Sequence, residues 1–228
     1  MNTIETFDRV VTVGIDMQND FCPGGTLGTA RGNDIIEPFN TAADWTRINT
    51  NFVETRLQNG IVVFTRCLHP EETSHFSDEP DYATTWPKHC VAGTPGANFH
   101  SALQIHEDDV IINKGTHKDE DAYSGFQGWT HDGYNLEALI MPTKLESVAV
   151  IIGGIATEVC VDATELGAEE IKQRIAPERT IGIFVLRDAV AAVNDNAGEA
   201  ALARMEARGA RIITTNDLIA GHVLEVRD

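Results

Sequence analysis

The chain is expected to fold as a three-layer α/β/α structure around a central, mostly parallel sheet of about six strands. Three observations predict this. Short apolar runs rich in Val and Ile recur at 10–15, 61–65, 110–113, 148–152, 181–186 and 211–214, the pattern of strands buried on both faces. Helical segments fall between several of these runs, and strands alternating with helices give a parallel sheet covered on both sides. The 228 residues show no break in composition, so one domain spanning 1–228 is the natural division.

Each element has its own signal. Residues 10–15 form the first strand, and Asp16 follows its last apolar position. A long helix is expected over 33–58, with Asn59-Gly60 as its stop. The strand at 61–65 leads into 67–100, a long irregular stretch rich in His, Pro, Asp and Gly. The strand at 110–113 ends at Lys114, and Gly115 lets the chain turn. A second irregular stretch, 114–133, carries Tyr123, Phe126 and Trp129. Long loops in a compact fold are usually functional. A short helix is expected at 135–139. After the strand at 148–152, Thr157 is a candidate N-cap for a helix over 157–168, which puts Cys160 in its first turn. A last amphipathic helix, 198–208, ends at Gly209 before the strand at 211–214.

Composition narrows the function classes. Seventeen Lys and Arg against 35 Asp and Glu give a net charge of −18, which disfavours nucleic acid and anionic membrane as partners. The four cysteines, Cys22, Cys67, Cys90 and Cys160, form no CxxC pair, and a reducing cytoplasm is the expected compartment. No signal segment or bilayer-length apolar run is visible.

Three residues at strand ends carry chemistry. A carboxylate after an apolar run, Asp16, is placed as a general base. Lys114 can hold that carboxylate and lower a thiol pKa by its charge. Cys160, at a helix N-terminus, is the candidate nucleophile. The carboxyl ends of parallel strands share one sheet edge, where such folds bind ligands. A base, a cation and a nucleophile there make an acyl-transfer site, with backbone N–H groups of Ala156 and Cys160 facing the oxyanion. Three histidines in the first long loop, His69, His75 and His89, favour a metal site.

These residues fall in segments that resemble the nicotinamidase (pyrazinamidase) family of isochorismatase-like hydrolases. The matching segments are Asp16-Met17-Gln18-Asn19-Asp20-Phe21-Cys22-Pro23-Gly24-Gly25, His69 with His75-Phe76-Ser77, Trp86-Pro87-Lys88-His89-Cys90 through Ala97, Lys114-Gly115, Tyr123-Ser124-Gly125-Phe126 and Gly154-Ile155-Ala156-Thr157-Glu158-Val159-Cys160-Val161. The resemblance implies an isochorismatase-like fold and an Asp16–Lys114–Cys160 triad. It implies a cis peptide between Ile155 and Ala156 and hydrolysis of nicotinamide to nicotinate and ammonia through a Cys160 thioester. It also implies one divalent ion, zinc first and iron or manganese after it, that holds the pyridine nitrogen. Phe21, Leu27, Trp86 and Tyr123 would wall the ring. Members often form dimers or tetramers, so a homo-oligomer is compatible, although no interface is legible.

One position departs from the family. Its Asp-x-His metal motif appears here as Cys67-Leu68-His69. Cys67 could serve as a thiolate ligand beside His69, His75 and His89; the histidines could hold the ion alone; or the ion could be lost. The retained histidines favour a retained metal. Three other readings stay open: a metal-independent cysteine amidase acting on another small amide, an isochorismate-type vinyl-ether hydrolase, which would need no cysteine, and a non-catalytic metal or small-ligand binding protein. Cys22 and Cys90 match non-catalytic positions, and Asp20 and Asp162 read as loop and helix-surface residues.

Overall fold

The computed structural model describes residues 4–50, 59–120, 123–141, 147–176 and 179–227. Its strands are β1 (Glu5–Phe7), β2 (Arg9–Ile15), β3 (Gly60–Cys67), β4 (Val110–Lys114), β5 (Ser147–Ile155), β6 (Thr180–Ala191), β7 (Arg211–Ile213) and β8 (Leu224–Val226). Its α-helices are α1 (Ile36–Asn49), α2 (Leu136–Ile140), α3 (Asp162–Ile175), α4 (Asp195–Arg208) and α5 (Thr215–Ile219). Six strands form the main sheet in the order β4-β3-β2-β5-β6-β7, and every pairing in it is parallel. The expected class therefore holds.

Residue alternation along the strands builds two cores. Val10, Phe64, Ala149, Ile151 and Phe184 face α1 and α5, where Ile36, Phe39, Ala43 and Leu218 meet them. Val11, Val13, Val63, Val150 and Ile183 face the opposite side, against Leu136 of α2, Ala168 of α3 and Met205 of α4. All seven residues of β2 are buried, as a central strand covered on two sides requires.

The chain leaves β2 toward β3 and β4 on one side, then returns to place β5, β6 and β7 on the other. The order reverses between β2 and β5, and ligands enter such sheets at the carboxyl ends beside that point. Gly154 permits close pairing there. Its φ is +129°, and a Cβ would lie 2.1 Å from the Ile15 carbonyl oxygen.

Several boundaries differ from those expected. The helix predicted over 33–58 begins at Ile36, because Asp34 N–H donates to Arg31 and Ile36 N–H to Asn33 in tight turns first; residues 51–58 lie outside the described ones. Thr157 is not an N-cap: Ala156 takes that position without a side-chain cap, and 157–161 form a π-helical turn leading into α3. Helix α4 starts at Asp195, capped by Asn194, and Gly209 ends it at φ 110° as expected. The strand expected at 181–186 extends to Ala191 as β6. Two further elements appear: a small parallel pair of β1 with β8, and α5 with a Thr214/Asp217 capping box.

Candidate active site

Asp16 leaves β2 at φ 49° and is fully buried. Its Oδ1 accepts from Thr65 Oγ1 at 2.7 Å. Its Oδ2 lies 2.7 Å from Lys114 Nζ, and both side chains are 0% exposed. Lys114 Nζ also lies 3.6 Å from Cys160 Sγ. The structure thus brings the three strand-end residues together, with one ammonium group touching both other members.

The lysine stays charged. Burial alone would lower its pKa, but Asp16, Cys160 and Cys67 outweigh burial and hold it well above the ordinary value. Cys160 differs from expectation. Burial pushes its thiol well above the ordinary cysteine value, Asp16 adds to this, and Lys114 offsets only part. The cation acts as expected, yet desolvation wins. The resting sulfur is a thiol, so a base must take its proton.

Cys160 sits in the π-helical turn, and such turns concentrate at functional sites. Thr164, one turn on, donates to the Cys160 carbonyl at 2.7 Å and accepts from Gly125 N–H at 2.9 Å. It ties the Tyr123 loop to the nucleophile's helix. The Ile155–Ala156 peptide is cis, and Ile155, Ala156 and Cys160 line one cavity.

A cavity of about 260 Å³ opens above Cys160, close to the lower end of small-molecule pockets, about 300–1,000 Å³. Phe21, Leu27, Trp86 and Tyr123 all line it. Trp86 Nε1 donates to Tyr123 Oη at 3.0 Å, and Tyr123 Oη donates to the Ala83 carbonyl at 3.0 Å. The aromatic walls are fixed by hydrogen bonds as well as by packing.

His75 and His89 line the same cavity. With His69 they form a buried group whose ligand nitrogens all lie within 4.8 Å of one another. Three features fit a metal ion. Burial and the neighbouring imidazoles lower His69 to about 3. Burial lowers His89 to about 4, so both offer neutral lone pairs at neutral pH. The His89 Nδ1 lies 2.7 Å from the Pro87 carbonyl, which assigns the proton to Nδ1 and frees Nε2, the usual outer-sphere arrangement of a ligating histidine. Among the described residues, neither ring nitrogen of His69 has a well-formed hydrogen bond, an expensive state for a buried polar group that serves no ligand.

Cys67 is not part of that group among the described residues, the arrangement in which the histidines hold an ion alone. Its Sγ lies 3.2 Å from Lys114 Nζ and 3.8 Å from Asp16 Oδ2. Burial and the Asp16 carboxylate push the thiol up to about 12, so it is neutral. The reason is local: Gln18 brackets the Cys67 backbone, accepting its N–H at 2.8 Å and donating to its carbonyl at 2.8 Å, which holds the side chain at the triad. Gln18 and Thr65 were not anticipated. Their signal was present, as polar residues at the end of apolar strands that turn out fully buried. Asp20 accepts Cys90 N–H at 2.7 Å, and Asp162 pairs with Arg204 and Arg208, so both are structural.

Known proteins share this sequence pattern and fold. The family pattern described as an isochorismatase domain matches residues 10–217. The nicotinamidase/pyrazinamidase of Mycobacterium tuberculosis is 34% identical over 206 residues, covering 89% of this chain and 97% of that protein. Among solved structures, the pyrazinamidase of Pyrococcus horikoshii in complex with zinc superposes with a TM-score of 0.72 at 34% identity, covering 90% of this chain and 99% of that one. The PnC1 protein of L. infantum in complex with nicotinate gives a TM-score of 0.72 at 25% identity, with both chains covered completely.

Proposed function

The chain belongs to the isochorismatase family, and from that premise we propose that it is an amidohydrolase converting nicotinamide to nicotinate and ammonia, with pyrazinamide as a second substrate. The observation that carries the reading is the single buried ammonium group of Lys114 in contact with both the Asp16 carboxylate and the Cys160 sulfur. The relatives named for nicotinamidase and pyrazinamidase activity, and the one bound to nicotinate, support the substrate. Residues 1–228 are taken as one catalytic unit, of which the family match spans 10–217.

Catalysis follows from the protonation states. Asp16 takes the Cys160 proton as the sulfur attacks the carboxamide carbon, so the buried thiolate never has to persist. Lys114 stays positive and offsets the negative charge that passes through the site. The Ala156 and Cys160 N–H groups face the oxyanion. The C–N bond then breaks, and ammonia leaves with the proton from Asp16. Water enters, Asp16 removes its proton, and the thioester is cleaved to nicotinate and the free thiol. His69, His75 and His89 would hold a divalent ion, zinc first by their borderline-soft nitrogen donors, and that ion would supply a Lewis-acid anchor for the pyridine nitrogen. Phe21, Leu27, Trp86 and Tyr123 sandwich the ring and exclude bulk water.

Ammonia release from nicotinamide by wild type and Cys160→Ala tests this. Wild type should turn over and the variant should not, and quenched wild type should show the acyl adduct on the Cys160 peptide by mass spectrometry. Ammonia release by Cys160→Ala at the wild-type rate would overturn the assignment.

A further inference from the structure

We propose that Tyr82 and Val193 form an outer subsite at the cavity mouth that binds an apolar substituent on the ring of an aromatic carboxamide, at the ring position opposite its anchored side. The inference rests on the amidase reading above. One continuous cavity is lined by Cys160 and by Tyr82, Trp86 and Val193. Large apolar side chains in this chain are mostly buried, but Tyr82 is 61% exposed and Val193 62% exposed. Both line the cavity.

Neither residue is loosely held. The Tyr82 ring stands edge-on to Trp86, with centroids 6.1 Å apart at 89°. Its backbone takes φ 56°, a conformation that bulky residues rarely adopt. The surrounding turn enforces it: the Asp81 carboxylate accepts the N–H groups of Ala83, Thr84 and Thr85, and Tyr123 Oη fastens the Ala83 carbonyl. Val193 N–H and Asn194 N–H donate to the Glu158 carboxylate at 3.3 and 2.9 Å. Glu158 precedes Cys160 by two residues, so this part of the rim is fixed to the nucleophile's own turn. Apolar groups held rigidly at a cavity mouth are preorganised to cover apolar ligand surface.

The chemistry of the substrate selects the position. A nicotinamide with its carboxamide on Cys160 and its ring nitrogen toward the imidazoles has two ring positions committed at the floor. They flank C2, so C5, across the ring, faces the mouth. A small alkyl group on C5 would exchange water for Tyr82 and Val193.

The test compares nicotinamide with 5-ethylnicotinamide. We would measure kcat/KM for both in wild type, Tyr82→Ala and Val193→Ser, and Kd for both by calorimetry with Cys160→Ala added to each background. The ratio of the ethyl compound to the parent should fall about tenfold in each rim variant, in kcat/KM and in affinity, the discrimination expected for a lost apolar contact in a pocket. An unchanged ratio in both variants, or failure of the ethyl compound to bind the Cys160→Ala protein when nicotinamide binds, would overturn the subsite. Rim-dependent affinity without ammonia release from either compound would instead overturn the amidase reading and leave the subsite standing.

Discussion

Replacing Lys114 by Met should separate stability from catalysis. The Lys114–Asp16 pair is 2.7 Å apart and fully buried. At an effective dielectric constant of about 20, that distance gives a gross attraction of about 6 kcal/mol. Desolvation of both ions offsets much of it, and breaking one side of such a pair costs about 3–5 kcal/mol, because the remaining charge is left uncompensated. At about 2–4 °C per kcal/mol for a domain of this size, the midpoint of thermal unfolding should fall by roughly 10 °C. Without the ammonium group between them, the Asp16 base and the Cys160 sulfur lose the charge that offsets proton transfer, and turnover should fall on the order of a hundredfold or more. Asp16→Asn/Lys114→Met, with two neutral side chains, should recover most of the stability and none of the activity. Calorimetry and an ammonia assay read both quantities. A fall in midpoint of less than about 2 °C for Lys114→Met, on the same scale, or turnover by the double variant, would refute the reasoning.

Other consequences can be checked directly. Because burial raises the Cys160 thiol, its alkylation by iodoacetamide, followed by peptide mass spectrometry, should be slow at neutral pH and still climbing at alkaline pH; a plateau in the acid range would reveal a resting thiolate. Zinc should bind through the three imidazoles alone, so His89→Ala should weaken it at least about tenfold in competition with a chromophoric chelator. Cys67→Ala should bind it as wild type does; equal losses would make Cys67 a ligand after all. In metal-free protein, His69 and His89 sit at about 3 and about 4, below the unfolded value. The unfolded chain then takes up protons first as pH drops, and stability should be lost from about pH 6.5 downward, by about 2 kcal/mol per imidazole at pH 5. Urea midpoints at pH 7 and pH 5 measure this, and equal midpoints would contradict it.

Much of the site was legible along the chain because topology does the gathering. Asp16, Lys114 and Cys160 each follow an apolar run, and parallel strands put all their carboxyl ends on one edge whatever the details of packing. Three histidines in one loop signalled a cluster of imidazoles in the same way. The pairing of β1 with β8 was not legible: each has three residues, too few to show a period, and they meet from opposite ends of the chain. The short α5 was missed for the same reason.

What the sequence by itself determined is therefore the layered sheet, the residues at its catalytic edge and the substitution of Cys67 for a family aspartate. Only the tertiary structure decided what each side chain does there. It turned Cys67 toward Lys114 and Asp16, because Gln18 clamps its backbone from the turn that follows β2. It kept the Cys160 proton on sulfur, because the desolvation of a buried thiol exceeds what one shared ammonium group returns. Order along a chain fixes which residues reach an edge, while aim and protonation depend on neighbours that only folding supplies.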